Sequence, residues 1–101
     1  MAKYIYPAIF IKEDDAYNVN FPDIDGCYTF GNSFEKAIEM AKDVLSLMLL
    51  ELEESGETIP KPFSSIVFPV ITTENISVHN IECDTEEYKK EIEKIMEFQS
   101  S

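Results

Sequence analysis

From Tyr4 to Ile11 the chain is almost continuously apolar, short, and rich in isoleucine and aromatics. That pattern predicts a strand covered on both faces. Pro7 has no N–H to give to a ladder, so it is expected at an unpaired flank or a bulge. Lys12-Glu13-Asp14-Asp15 reads as a polar turn. Beyond it Tyr17, Val19 and Phe21 alternate with Asn18 and Asn20, the period of two that marks a strand with one buried face. Phe21-Pro22-Asp23-Ile24-Asp25-Gly26 breaks the alternation, and Cys27 to Phe30 resumes it. Three strands joined by short turns predict an antiparallel meander.

A period near 3.6 follows. Phe34, Ala37, Ile38, Ala41, Leu45, Met48 and Leu52 recur at the spacing of one helical face. Ser33 and Asn32 are both competent N-caps, with Glu35 in reach of a capping box from Asn32. Gly56 fits the C′ position, and Pro60 and Pro62 prevent the helix from resuming. Met40, Leu47 and Leu50 lie off the core stripe, so the second half of this helix is apolar nearly all round. A single small sheet does not cover that much surface, so a second subunit or a partner is expected over these three residues, the alternative being that the stretch from Ile66 to Ile81 folds back over them. Ile66–Ile71 and Ile76–Ile81 are short apolar segments, the first interrupted by Pro69. Asp84-Thr85-Glu86-Glu87 forms a capping box, with Cys83 and Tyr88 placed to staple across it. Tyr88, Ile92, Ile95 and Met96 then carry a helix over about 84–98. The order is βββα, then one or two strands, then α. It predicts an α+β fold in one domain spanning residues 1–101.

Composition sharpens the picture. With 101 residues and 45% hydrophobic content, the chain suffices for one core and no more. Twenty Asp and Glu stand against eight cationic residues, giving a net charge of −12. All eight are lysine. Nucleic acids and anionic membranes should repel such a surface, and its electrostatic complement is a basic protein. No apolar stretch reaches the ~20 residues a membrane span needs, and the N-terminus carries no secretory signal. A soluble cytoplasmic protein is expected. Cys27 and Cys83 are far apart in sequence, without a CxxC motif, and read as buried thiols.

The chain offers little for catalysis. His79 is the only histidine and falls inside a strand. Neither cysteine has an evident electropositive neighbour to stabilise a thiolate. The three glycines read as turns or caps, not as a phosphate loop. Asp23 and Asp25 have the chemistry to help hold a divalent ion, but a Pro/Gly turn favours Asp for local hydrogen bonding alone. No metal, cofactor or enzymatic activity is expected, and an acidic binding module is.

The stretch Phe21-Pro22-Asp23-Ile24-Asp25-Gly26-Cys27, with Gly31-Asn32-Ser33 and Phe34-Glu35-Lys36-Ala37-Ile38-Glu39-Met40-Ala41, resembles the HicB antitoxin family. That family carries an aromatic-Pro-Asp-x-x-Gly turn, a Gly-polar-Ser/Thr helix start and an Ala-rich first half. Gly56-Glu57-Thr58-Ile59-Pro60-Lys61-Pro62 is similar to its Gly-x-x-Ile-Pro-x-Pro exit, and Ile81 to Tyr88 to its strand-to-helix junction. The resemblance implies a partial RNase-H-like fold that sequesters a small basic mRNA-cleaving toxin of the HicA type by covering its RNA-binding surface. On that reading Glu13, Asp14, Asp15, Asp23 and Asp25 are the candidate partner-binding residues. Met40, Leu47 and Leu50 remain the candidate homo-oligomer interface. Many family members add a DNA-binding segment. Here the last helix, with Lys89, Lys90 and Lys94 outnumbered by acids, is not recognisable as one, so operator binding by this chain is not expected. The alternative readings are a stand-alone HicB-like oligomeric regulator without a toxin and, behind it, a metal-dependent nuclease on a degraded RNase-H scaffold.

Overall fold

A computed structural model describes residues 3–62 and 75–100 of the chain. Strands β1 (Lys3–Glu13), β2 (Ala16–Asn20) and β3 (Tyr28–Gly31) form the expected meander, followed by helix α1 (Phe34–Ser55), strand β4 (Ile76–Asp84) and helix α2 (Thr85–Ser100). The sheet order is β3-β2-β1-β4, and every neighbouring pair is antiparallel. The α+β expectation holds. The segment Ile66–Ile71, expected as an edge strand or a loop, lies outside the described residues.

Register explains Pro7. The Lys12 amide donates to Asn75 across the β1–β4 seam at 2.7 Å. Backbone direction alternates along a strand, so even-numbered β1 residues face β4 and Pro7 faces the β2 side. Pairing with β2 begins only at Ile9↔Asn20. The missing N–H therefore costs no ladder bond, although β1 is a central strand.

One face of the sheet carries the core. Tyr6, Ala8 and Phe10 of β1, Val19 of β2, and Ile81 and Cys83 of β4 are buried with Ala37, Ala41, Leu45 and Leu49 of α1. Leu49, one turn beyond Leu45, is fully covered while Met48 is half-buried. Each large apolar side chain withdrawn here contributes about 1.5–3 kcal/mol. Alanines 37 and 41 let α1 approach closely. At Gly31 the approach is closest: a Cβ there would lie 2.4 Å from the Ala37 nitrogen and 2.6 Å from its Cα. Gly31 is more than a turn residue. It is the place where β3 and the first turn of α1 touch.

Both helices are capped by the residues that the sequence offers. Ser33 is the N-cap of α1, its Oγ accepting from the Lys36 amide at 3.1 Å. Gly56 takes the left-handed conformation, φ 74°. Its N–H donates to the Glu53 carbonyl, and that of Glu57 donates to the Leu52 carbonyl. This pair of bonds closes the helix end. Asp84 caps α2, its Oδ1 accepting from the amides of Glu86 and Glu87 at 3.0 and 3.1 Å.

The fold distributes the flank of α1 over different surroundings. Leu50 is only 9% exposed and sits on the floor of a cleft with Thr85, Glu86 and Lys89 of α2. Met40 is half-buried, and Leu47 is 40% exposed. The chain's own last helix takes up Leu50, so the three residues do not form one open patch.

Candidate functional site

Three groups of acids stand out in the fold. Glu13, Asp14 and Asp15 are all exposed at the tip of the β1–β2 hairpin, where Asp14 adopts φ 53°, a conformation that Asp tolerates better than most residues. Asp23 and Asp25 occupy the β2–β3 loop at the other end of β2. Five residues of strand separate the two groups, roughly 17 Å at 3.3 Å per residue. The five residues put forward for partner binding do not form one cluster.

The β2–β3 loop is built for packing. Phe21, Ile24 and Cys27 are buried at 1%, 4% and 0% exposure. Main-chain bonds from Phe21 N to Cys27 O, Ile24 N to Phe21 O, and Cys27 N to Ile24 O close the loop on itself. Gly26 turns the chain at φ 74°, and a Cβ placed on it would meet no atom within 4 Å, so it supplies conformation and not a close approach. Asp25 is exposed and Asp23 is half-buried. The Asp23 charge, after burial, helps to push the Tyr6 phenol above its ordinary pKa.

The third group was not singled out from the sequence. Glu39 and Asp43 of α1, Glu82 and Asp84 of β4, and Glu87 and Glu91 of α2 converge on one groove of about 540 Å³, which Lys3 and Lys42 also line. Glu39/Asp43 and Glu87/Glu91 are i,i+4 pairs, each on one helical face. That spacing was the available signal, but only the packing of α2 beside α1 brings the two faces together. Tyr88 stands in the wall. Burial and then the Asp43 carboxylate, to which its hydroxyl is hydrogen-bonded, hold its phenol above the usual range. The groove is open, and its carboxylates are exposed apart from half-buried Asp84, so what sets it apart from the hairpin tip is the number of acids gathered on one surface.

A clasp beside the Leu50 cleft fixes α2. The Tyr4 hydroxyl donates to Glu53 Oε2 at 2.6 Å, and Thr85 Oγ1 donates to the same oxygen at 3.0 Å. Lys89 pairs with Glu54 at 3.0 Å. Tyr6 donates to the Pro60 carbonyl, tying the exit of α1 to the sheet. Burial first, and then Glu53, push the Tyr4 phenol up to about 12.

His79 and the two cysteines are packed into the fold. The His79 ring meets Phe10 and Phe34 edge-on, with centroids 5.0 and 5.1 Å away. Its Nε2 lies 2.9 Å from Ser77 Oγ. Ser77 and His79 are alternate residues of one strand, so the pleat alone brings them together. Cys27 and Cys83 are free and buried. Burial pushes the Cys27 thiol up to about 12, the opposite of what a nucleophilic thiolate requires. Among the described residues no three His, Cys, Asp or Glu side chains are grouped as a metal site, and no helix is long and apolar enough to cross a membrane.

Comparison with known proteins agrees with the α+β reading. The family model described as the HicB-like antitoxin of bacterial toxin–antitoxin systems matches residues 6–97. An uncharacterised 14.9 kDa protein from the rep–hol intergenic region of Haemophilus phage HP1 is 33% identical over 57 residues, 56% of this chain and 43% of that protein's length. The match therefore spans less than half of that relative. Among solved structures, a toxin–antitoxin complex from Streptococcus pneumoniae contains a chain similar in fold, with TM-score 0.71 and 23% identity over 86% of this chain and 73% of that one. The HicB3 antitoxin crystal structure gives TM-score 0.64 and 28% identity over 84% and 65%. A HicA3–HicB3 toxin–antitoxin complex gives 0.60 and 28% over 80% and 99%. With a family model covering nearly the whole described chain, this protein belongs to the HicB-like antitoxin family of bacterial toxin–antitoxin systems.

Proposed function

We propose that this chain is the antitoxin of a toxin–antitoxin pair, sequestering a small basic ribonuclease of the HicA type in the cytoplasm by covering its RNA-binding surface. The observation that carries the reading is the family match over residues 6–97. The similarity to chains in solved toxin–antitoxin complexes supports it. Charge supplies the physical reason. A protein surface that holds RNA must present cations to phosphates, and a chain of net charge −12 competes for the same cations.

The acidic groove between α1 and α2 is the main docking element on this reading. The hairpin tip of Glu13, Asp14 and Asp15 is a second contact, and Asp23 and Asp25, at the other end of β2, are a third. The chain itself acts by binding and not by catalysis. Co-expression with a basic HicA-type protein encoded beside its gene tests this directly. The two chains should co-elute on size exclusion, and equimolar antitoxin should suppress RNA cleavage by the purified toxin. Separate elution together with undiminished cleavage would overturn the proposal.

A further inference from the structure

The exposed apolar residues of the sheet point to a second interaction, distinct from the acidic one. Strand β3 is an edge of the sheet. Tyr28 and Phe30 are 69% and 60% exposed on the face away from α1, opposite Asn20 and Asn18 of β2. The Phe21 amide donates to the Cys27 carbonyl. By alternation, Thr29 and Gly31 also face β2, while the N–H and C=O groups of Tyr28 and Phe30 face outward. Edge strands are commonly protected by lysine, proline, a bulge or a covering element. This one carries none of these on its own residues, and no charged residue occurs from Gly26 to Phe34. The other edge, β4, carries Glu82 and Asp84.

We infer that β3 pairs antiparallel with β3 of a second copy of this chain, joining two sheets across a two-fold axis at Thr29. Three considerations select that occupant. A basic partner is drawn to the acids, and this edge offers none. Two chains of net charge −12 repel one another least where neither carries charge. The edge is also self-complementary. Only registers that place even residues opposite even residues align the outward-facing groups. The register Tyr28↔Phe30 with its two-fold mate uses both residues for roughly four new backbone hydrogen bonds. It also sets a tyrosine against a phenylalanine twice on the outer face, a favourable cross-strand combination.

The area involved is small. At about 150–250 Å² per aromatic side chain, the exposed parts of Tyr28 and Phe30 amount to ~250 Å² per copy, against roughly 800 Å² for a standard interface. The dimer is therefore concentration-dependent.

Sedimentation equilibrium of the full chain from about 5 to 500 µM, a range suited to an interface of this size, tests the inference. The weight-average mass should rise from 11.6 kDa toward twice that value, and should rise further with added salt as repulsion is screened. Amide exchange locates the contact. The Tyr28 and Phe30 amides should gain protection with concentration, while those of Thr29 and Gly31 stay protected throughout. Tyr28→Lys with Phe30→Lys should remain at monomer mass with an unchanged circular dichroism spectrum. A wild type that stays monomeric overturns the inference. So does a dimer whose Tyr28 and Phe30 amides remain fast, or a folded lysine variant that still dimerises. Because the exchange measurement uses the wild type, it stands even if the variant fails to fold. Toxin binding weakens with salt where this association strengthens, so the failure of one reading is distinguishable from the failure of the other.

Discussion

Three glycines of similar appearance in the sequence do different physical work, and the difference is measurable. Gly26 and Gly56 both sit at φ 74° with open space where a side chain would point. Alanine at such a position is strained by about 1–2 kcal/mol and nothing more. Gly31 is not in the left-handed region. A Cβ there would overlap the backbone of Lys36 and Ala37, all three nearest atoms lying under 3 Å. Backbone cannot yield as a side-chain end does, so α1 would have to lift off β3 over its first turn. Overpacking of this kind costs about 1–3 kcal/mol and sometimes more. Gly31→Ala should therefore be the worse substitution, lowering the melting temperature more than Gly26→Ala, at about 4–8 °C per kcal/mol for a domain of this size. Parallel thermal melts of the two variants check the ranking. Equal effects would mean that β3 and α1 are not in contact at Gly31. Sequence reasoning placed a turn at Gly26 and missed the contact at Gly31, because a turn follows from local chemistry and a helix–strand approach does not.

The same division between local and non-local information runs through the elements. The meander, a helix start at Asn32 or Ser33, the Gly56 terminus and the Asp84 cap were legible because each rests on local pattern and turn chemistry. Which face of the sheet is covered was not, so the alternating aromatics of β3 gave no hint that Tyr28 and Phe30 would be exposed. Nor was the seat of α2, which removes Leu50 from the surface and assembles the acidic groove. That seat depends on a clasp joining three elements: Tyr4 of β1, Glu53 of α1 and Thr85 of α2 share one carboxylate oxygen. The clasp has a pH signature. An unfolded tyrosine titrates near 10, and Tyr4 in the fold is pushed up to about 12. The neutral phenol is the form the fold favours, so its contribution is complete below pH 10 and is lost as pH rises through 12. Cys27 behaves in the same sense from its ordinary 9 up to about 12, so the wild type should weaken steadily across this alkaline window. Tyr4→Phe should be less stable near pH 8, by about 1 kcal/mol for the lost hydrogen bond, and should lose less on going from pH 10 to 12. Urea titrations at the two ends of the window check this. An identical alkaline loss in the variant would show that the Tyr4 phenol is not held by Glu53 in the folded chain.

At the scale of the whole molecule, the two proposed interactions use surfaces of different electrostatic character: an uncharged strand edge for a second copy, and an acidic surface for a basic partner. The acidic surface makes a kinetic prediction that separates steering from docking. Encounter responds to the summed field, so the association rate with a basic ribonuclease should depend on the net charge of −12 more than on where any one carboxylate stands. Raising ionic strength from about 50 to 500 mM shortens the screening length well below 10 Å and should slow association by about tenfold or more. Neutralising the hairpin tip (Glu13→Gln, Asp14→Asn, Asp15→Asn) should slow it modestly. So should neutralising the groove (Glu87→Gln, Glu91→Gln). Asn is chosen at position 14 because it tolerates the left-handed backbone found there. Dissociation reports something else. Charges desolvated in the complex set how long it lasts, and on the proposed docking these are the six carboxylates gathered on the groove between α1 and α2. The groove pair should therefore accelerate dissociation several-fold, while the tip variant leaves it nearly unchanged. Surface plasmon resonance on the three proteins measures both rates. A salt-independent association rate would remove steering from the account, and a dissociation rate that responds to the tip instead of the groove would move the docking site to the β1–β2 hairpin.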